Sequence, residues 1–270
     1  MAEVQTTNAR RGLMFALAGL LAVPLLLGVP FVLRDTIVWQ QMNVLLLVGT
    51  VSFVLAVLLH ASASFSPASA LLFLVLGVGV GLAAELSALR WGLPLFGDYS
   101  YNPALRPQLM GLPLFIPLAW FVLAYLPLVL LRRLAVGGRH KLLRRLTKTL
   151  LCSLYLTAVD LALDPLAISI GAWTWSESGG YLGVPASNFV GWFLVGIVIY
   201  GVFFAVEPDR TEAPAPALDA LIVGLIGALG LLALLAVGAH VRHWLPIVLS
   251  VAVLAPYFGY WYRTRDRSSS

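Results

Sequence analysis

Three carboxylic acids stand in this chain where ordinary sequence design would put none: Glu85 in Leu82-Ala-Ala-Glu85-Leu86, and Asp160 and Asp164 in Val159-Asp160-Leu-Ala-Leu-Asp164-Pro165. All three fall within long apolar runs, where an exposed acid at the centre of a lipid-embedded helix costs about 2.5 to 3.5 kcal/mol. Asp160 and Asp164 are spaced i, i+4 and so share a helix face, with Asp160 about one turn deeper. Glu85 precedes Trp91 by six residues and Asp164 precedes Gly171 by seven, which puts both about 10 Å below the same boundary at helical rise. Glu85 and Asp164 are therefore expected at one depth, with Asp160 a turn below them. Low dielectric and like charge favour a neutral member of such a group, so at least one is expected to be a proton donor. The competing reading is structural: Asp164 caps or kinks its helix beside Pro165, whose missing N–H frees a carbonyl one turn back, and Asp160 bonds to Tyr155 or a neighbouring helix.

The segments that follow the acids are dense in aromatic and turn residues. After Glu85 comes Trp91-Gly-Leu-Pro-Leu-Phe-Gly97-Asp98-Tyr99-Ser100-Tyr101, and after Asp164 comes Trp173-Thr174-Trp175 followed by Tyr181-Leu-Gly183-Val-Pro185. Tyr99, Tyr101, Trp173 and Trp175 suit either an interfacial aromatic belt or the wall of a binding slot. Asn188 and Trp192, again i, i+4, present an amide and an indole on one wall; Asn188 serves equally as a helix cap.

The elements that must position these residues are membrane helices. Sixty per cent of the 270 residues are hydrophobic and 11% are charged, more apolar surface than a soluble domain of this size can hide. The expected fold is all-α, a polytopic transmembrane bundle of about eight helices, with seven possible. Runs long enough to cross about 30 Å of hydrocarbon lie at 13–33, 42–60, 68–89, 112–131, 149–170, 188–206, 220–237 and 243–262. Only Gly238 to Arg242 separates the last two. The first follows Arg10-Arg11 but is too long for the apolar core of a signal peptide, so it is expected to be retained. The chain reads as a single integral membrane domain, residues 1–270.

Eight spans divide the basic residues unequally. Arg10, Arg11, Arg132, Arg133, Arg139, Lys141, Arg144, Arg145, Lys148, Arg210, Arg263, Arg265 and Arg267 fall on one side, and Arg34, Arg90, Arg106 and Arg242 on the other. The positive-inside rule then makes both termini and the basic loop 132–148 cytoplasmic in a multi-pass plasma-membrane protein, and faces the acid-bearing end outward. The net charge of +5 reports topology and lipid headgroup contact. The loop has no interleaved aromatics, so nucleic acid is not expected as a partner. Asp219, just before the seventh span, reads as an N-cap.

Several chemistries are absent from the pattern. Cys152 is the single cysteine, which leaves no disulfide or cysteine-based metal site within one chain. His60 and His140 belong to one side and His240 and His243 to the other, so no histidine metal site is expected. The chain has no Gly-rich phosphate loop, nucleophile elbow, zinc-protease motif or strong internal repeat.

Between Glu85 and Trp192 the chain resembles the carotenoid biosynthesis membrane proteins that act as carotenoid 1',2'-hydratases, of the bisanhydrobacterioruberin hydratase type. The resemblance rests on Glu85, Gly97-Asp98-Tyr99-Ser100-Tyr101, Gly111-Leu112-Pro113 with Trp120, Asp160-Leu-Ala-Leu-Asp164-Pro165, Trp173-Thr-Trp175, Tyr181-Leu-Gly183-Val-Pro185, Asn188 and Gly191-Trp192. Residues 1–67 and 207–270 carry no part of it. It implies addition of water across the terminal double bond of an acyclic carotenoid end group, on a lycopene- or γ-carotene-like substrate, giving a tertiary alcohol. Membrane lipid is the other expected partner, with association with other carotenoid enzymes a further possibility. The reaction implies no redox cofactor.

The residues suit that chemistry. Protonation of a trisubstituted alkene leaves a tertiary carbocation, which calls for a neutral acid, a placed water and cation-stabilising surroundings. Asp164 is expected as the acid, Glu85 as the water-orienting base and Asp160 as the group that tunes them. Tyr99, Tyr101, Trp173 and Trp175 are expected either to present π faces to the cation or to wall the substrate slot, with Asn188 and Trp192 completing the binding set. Two other readings remain open. Asp160-x-x-x-Asp164 could bind magnesium and diphosphate in a prenyltransferase or cyclase, although no second Asp-rich motif accompanies it. The acids could instead form a proton relay in a small transporter, although no matched pair of broken helices is present.

Overall fold

Ser66, Pro67 and Gly92 bracket the helix that carries Glu85. The Ser66 hydroxyl accepts from the Ser69 amide at 3.0 Å, Pro67 occupies the first turn, and Gly92 ends the helix in the left-handed region at φ 63°, the signals expected at these positions. In the computed structural model, which describes residues 12–23, 26, 38–93, 95–131, 140–207, 218–224, 235, 238–239 and 241–265, this helix is one of eight. They are α1 (Gly12–Val23), α2 (Trp39–Ser64), α3 (Pro67–Trp91), α4 (Phe115–Leu131), α5 (Lys141–Ser169), α6 (Ala186–Val206), α7 (218–224) and α8 (Leu245–Arg265). The all-α expectation holds. Five of them, α2, α3, α5, α6 and α8, are long and apolar enough to cross a membrane.

α4 is the axis of the bundle. It is apolar all round, which in a packed structure means a helix buried on every side, and it lies against α2, α3, α5 and α8. Gly77 and Gly81 on α3 admit it closely: a Cβ on Gly77 would sit 2.7 Å from Phe121 Cα, and one on Gly81 2.6 Å from Trp120 Cγ. Such small-residue faces are how membrane helices approach without a hydrophobic driving force between them. α5 packs most extensively against α6, with Gly196 against Ser153. The aromatic core comprises Phe73, Phe121, Tyr125, Tyr200 and Phe203, and the Tyr200 hydroxyl donates to the Ala124 carbonyl at 2.7 Å.

The expected spans differ from these helices mainly at α5, which starts at Lys141 rather than at residue 149. Its first two turns therefore carry Lys141, Arg144, Arg145 and Lys148 as helix, from an exposed Lys141 to a buried Lys148. Residues 132–139 of the expected basic loop, Arg10, Arg11 and much of the first and seventh expected spans lie outside the described residues, as does His240.

Polar residues away from the acids serve helix contacts. His60 Nδ1 meets the Tyr125 hydroxyl at 2.7 Å and its Nε2 lies 3.1 Å from Asp219 Oδ1, tying α2 to α4 and α7. Asp219, expected as an N-cap, also reaches His60 on α2. Ser69 donates to Glu207 Oε2 at 2.5 Å between the start of α3 and the end of α6. Cys152 is buried with a free thiol.

The far end of the bundle carries the only strands among the described residues. β1 (Tyr99–Tyr101) pairs antiparallel with β4 (Trp173–Trp175), and β2 (Gln108–Leu109) with β3 (Leu112–Pro113). The α3–α4 and α5–α6 connections are stitched together across that end: Asn102 N and Nδ2 donate to the carbonyls of Ala172 and Gly171 at 2.8 and 2.7 Å, and Ser176 N donates to Asp98 O at 2.9 Å. Asn43 on α2 holds the same connection by donating to Ala104 O and accepting from Arg106 N.

Candidate active site

A strand that alternates large and small residues puts all its large ones on one face. Tyr99-Ser100-Tyr101 and Trp173-Thr174-Trp175 pair in register, Tyr99 opposite Trp175 and Tyr101 opposite Trp173. The ribbon therefore lowers two phenols and two indoles towards the helix ends while Ser100 and Thr174 face outward, exposed. The rings meet edge to face, Tyr99 with Tyr101 at 5.5 Å and Tyr101 with Trp173 at 5.6 Å between centroids. Trp175 is anchored by its Nε1, which donates to Phe96 O at 2.7 Å.

Beneath the ribbon is a cavity of about 50 Å³, room for ordered water or a small alkyl end and far too small for a whole polyene. Glu85, Tyr99, Tyr101 and Trp120 line one part; Asp164, Trp173, Asn188 and Trp192 line another; Phe96, Trp175, Ile116, Ala119, Leu123 and Leu163 complete it.

Glu85, 5% exposed, accepts three hydrogen bonds. The Tyr99 and Tyr101 hydroxyls both donate to Oε2, the latter at 2.9 Å, and Trp120 Nε1 donates to Oε1 at 3.1 Å. Three donors and no acceptor among its partners leave Glu85 with the role of hydrogen-bond acceptor towards its neighbours. The phenols are kept as donors by their surroundings. Burial first, and the adjacent Glu85 carboxylate second, push the Tyr99 and Tyr101 hydroxyls above their usual range.

Asp164 and Asp160 lie on α5 at 3% and 0% exposure. Asp164 Oδ1 accepts from Trp173 Nε1 at 3.0 Å, and its Oδ2 accepts from Asn188 Nδ2 at 2.5 Å. The same Asn188 nitrogen donates to Asp160 Oδ2 at 2.6 Å. Asn188, near the start of α6, acts here as an amide clamp on both acids, and no side-chain cap bond is formed at that helix start. Asp160 lies behind Asp164 and does not line the cavity. Among the described residues no lysine or arginine forms an ion pair with any of the three acids.

Pro165 frees the Leu161 carbonyl, as its missing N–H requires, and the Tyr181 hydroxyl donates to it at 2.8 Å. Burial pushes that phenol up to about 12. The hairpin 179–184 that presents Tyr181 is closed by the Gly179–Gly183 bridge, where a Cβ on Gly179 would fall 2.1 Å from Val184 O.

Glu85, Asp164, Tyr99, Tyr101, Trp173, Trp175, Asn188 and Trp192 are thus brought to one cavity, with Asp160 directly behind it. Trp91, by contrast, is 74% exposed and takes no part. The lining residues given no site role from the sequence include Phe96 and the α4 side chains, above all Trp120, named there only as part of the resemblance, which bonds Glu85 and lies tilted against Trp192 with centroids 4.2 Å apart. Nothing in the local sequence marks Trp120 as polar machinery, because its importance comes from the Gly81 contact on another helix. Among the described residues no group of three or more His, Cys, Asp or Glu side chains has the arrangement to hold a metal ion.

A family model described as carotenoid biosynthesis protein matches residues 41–256, extending well beyond the Glu85–Trp192 stretch on both sides. The chain is 38% identical over 124 residues to the bisanhydrobacterioruberin hydratase of Haloarcula japonica, an alignment that covers 44% of this chain and 39% of that relative. The matched stretch therefore spans about two fifths of the relative's length. No solved structure matches the chain.

Proposed function

We propose, from the premise that this chain belongs to the carotenoid biosynthesis protein family, that it adds water across the terminal 1',2' double bond of an acyclic carotenoid end group. The observation that carries this reading is a single aromatic cavity bounded by two differently equipped acids: Glu85 with three donors turned on it, and Asp164 backed by a second carboxyl.

In the proposed reaction Asp164 transfers its proton to C2 of the trisubstituted alkene, and the positive charge develops at tertiary C1. The π faces of the surrounding tyrosines and tryptophans stabilise that cation by up to about 2 kcal/mol each where water is excluded. A water held at Glu85 attacks C1, and Glu85 takes the proton released as the C–O bond forms. The product is a tertiary alcohol. Asp164 has lost one proton and Glu85 has gained one, and exchange with water entering at the loop-bearing end restores both. The conversion is redox-neutral and asks for no electron carrier.

Cavity size supports end-group rather than whole-chain recognition. A rigid polyene spans a bilayer of about 30 Å, so a site just below one interface receives its end while the remainder lies among helices and lipid. The orientation implied by the basic residues makes that interface the outer one of the plasma membrane.

Expression in a lycopene-producing bacterium, followed by mass spectrometry of the extracted pigments, tests the proposal. A pigment heavier by one or two water masses is expected. Unchanged lycopene alongside abundant folded protein would overturn it.

A further inference from the structure

Asp160 is the one acid of the three that cannot touch a substrate in the cavity, and it has an unusual deficit. Its Oδ2 accepts from Asn188, while its Oδ1 is fully buried and no donor reaches it. The i, i+4 spacing on α5 puts this carboxyl on the same helix face as Asp164, and one Asn188 nitrogen reaches both, at 2.6 Å from Asp160 Oδ2 and 2.5 Å from Asp164 Oδ2. An ionised carboxylate presents only lone pairs, so leaving one oxygen unserved in an apolar interior carries the full desolvation cost. A carboxylic acid removes the deficit, because its hydroxyl is a donor that needs an acceptor, and Asp164 is that acceptor.

We propose that Asp160 is a permanently neutral carboxylic acid that donates through its Oδ1 hydroxyl to Asp164, serving as a positioning residue rather than as the source of the transferred proton. This deepens the hydratase reading and rests on it. Asp164 then has three donors, Trp173 Nε1, Asn188 Nδ2 and Asp160 Oδ1, beside the one proton of its own that the hydratase reading has it transfer. The consequence is chemical. An alkene is a poor base, and its protonation requires an acid whose conjugate anion is held well. When Asp164 gives its proton to C2, the anion left behind keeps all three donors, and Asp160 keeps its own proton throughout. The groups facing Asp160 are Asp164 on the same helix, Glu85 on α3 and the Tyr181 phenol above α5. None brings a positive charge, and the Asn188 donor on Oδ2 is accepted equally by the carbonyl oxygen of a neutral acid.

The inference makes the asparagine variant diagnostic. An asparagine amide can accept from Asn188 and donate to position 164 as a neutral acid does, whereas it cannot replace an ionised carboxylate or a proton source. Asp160→Asn is expected to turn over within about tenfold of the wild type. Asp160→Ala is expected to lose about tenfold to a hundredfold in kcat with KM unchanged, the effect of one hydrogen bond to a charged group. Carbonyl-stretch infrared spectra of protein carrying 13C-labelled aspartate, in an ester-free detergent, supply a readout that needs no turnover. Two protonated-carboxyl components, one from Asp160 and one from Asp164, are expected in the wild type; Asp164→Asn is expected to keep the Asp160 component, and Asp160→Asn to lose it while keeping that of Asp164. Loss of activity in Asp160→Asn as deep as in Asp164→Asn, near-normal kcat in Asp160→Ala, or a wild-type spectrum without a band that Asp160→Asn removes would each overturn the assignment. Failure of the wild type to hydrate any acyclic carotenoid would sink the hydratase reading alone, since the band still reports the state of Asp160.

Discussion

Tyr101 and Trp173 face each other across the β1–β4 ribbon, rings edge to face at 5.6 Å, and their polar atoms serve different acids: Tyr101 donates to Glu85, Trp173 to Asp164. One cross-strand pair therefore sets the position of a carboxyl on α3 relative to a carboxyl on α5. Cross-strand aromatic pairs contribute about 0.2 to 1 kcal/mol each to a sheet, so the ribbon's main contribution lies in alignment rather than in stability. Four predictions follow the same geometry outward.

Asp164→Asn and Glu85→Gln are each expected to lower turnover by about 100-fold or more, the usual weight of a general acid or base. Single-turnover measurements on purified protein with lycopene check this. Near-normal rates in either variant remove that residue from the proposed mechanism.

Tyr101→Phe removes one of the three donors to Glu85, and a loss of about tenfold in turnover is expected from one hydrogen bond to a charged group. The direction of the phenol shift adds a pH signature. Because burial and Glu85 raise both phenols above their ordinary value, which is about 10, both remain protonated donors from about pH 7 to 10. The shape of the wild-type and Tyr101→Phe rate profiles should coincide over that interval. An alkaline limb present in the wild type and missing from the variant would contradict it.

Gly81→Ala puts a methyl group inside Trp120, with 2.6 Å to its Cγ. Overpacking of this kind costs about 1 to 3 kcal/mol. Relief requires Trp120 to move off Glu85 and Trp192, so turnover should fall together with thermal stability. Gly79→Ala, where nothing lies within 4 Å, is the matched control and should leave both unchanged.

Reporter fusions after Arg145 and after Gly180 test the orientation that places the cavity at the outer interface. The first should report cytoplasm and the second the opposite side, as the distribution of basic residues requires. The reverse pattern moves the site to the cytoplasmic face and leaves its chemistry intact.

Much of the scaffold was legible in the chain because lipid imposes a simple rule. A backbone in hydrocarbon must satisfy its own hydrogen bonds, so long apolar runs become helices, and α2, α3, α5, α6 and α8 appear near the expected positions. The acids were legible for a related reason, since Glu85, Asp160 and Asp164 violate the composition of their surroundings. The strands were written in the alternation of Tyr-Ser-Tyr and Trp-Thr-Trp, yet segments of three residues form strands only when a partner segment is delivered to them. That delivery depends on where α3 and α5 end, which no local window contains.

Sequence alone thus determined the solvent of this protein, its helical class and the identity of the residues too polar for their setting, because each follows from transfer energies and period. Tertiary structure decided which donors each acid receives. Trp120 reaches Glu85 only because Gly81 lets α4 lie against α3, and Asn188 clamps Asp160 and Asp164 only because α6 packs along α5. The chemical difference between one buried carboxyl and another is a property of those contacts, made between residues far apart in the chain.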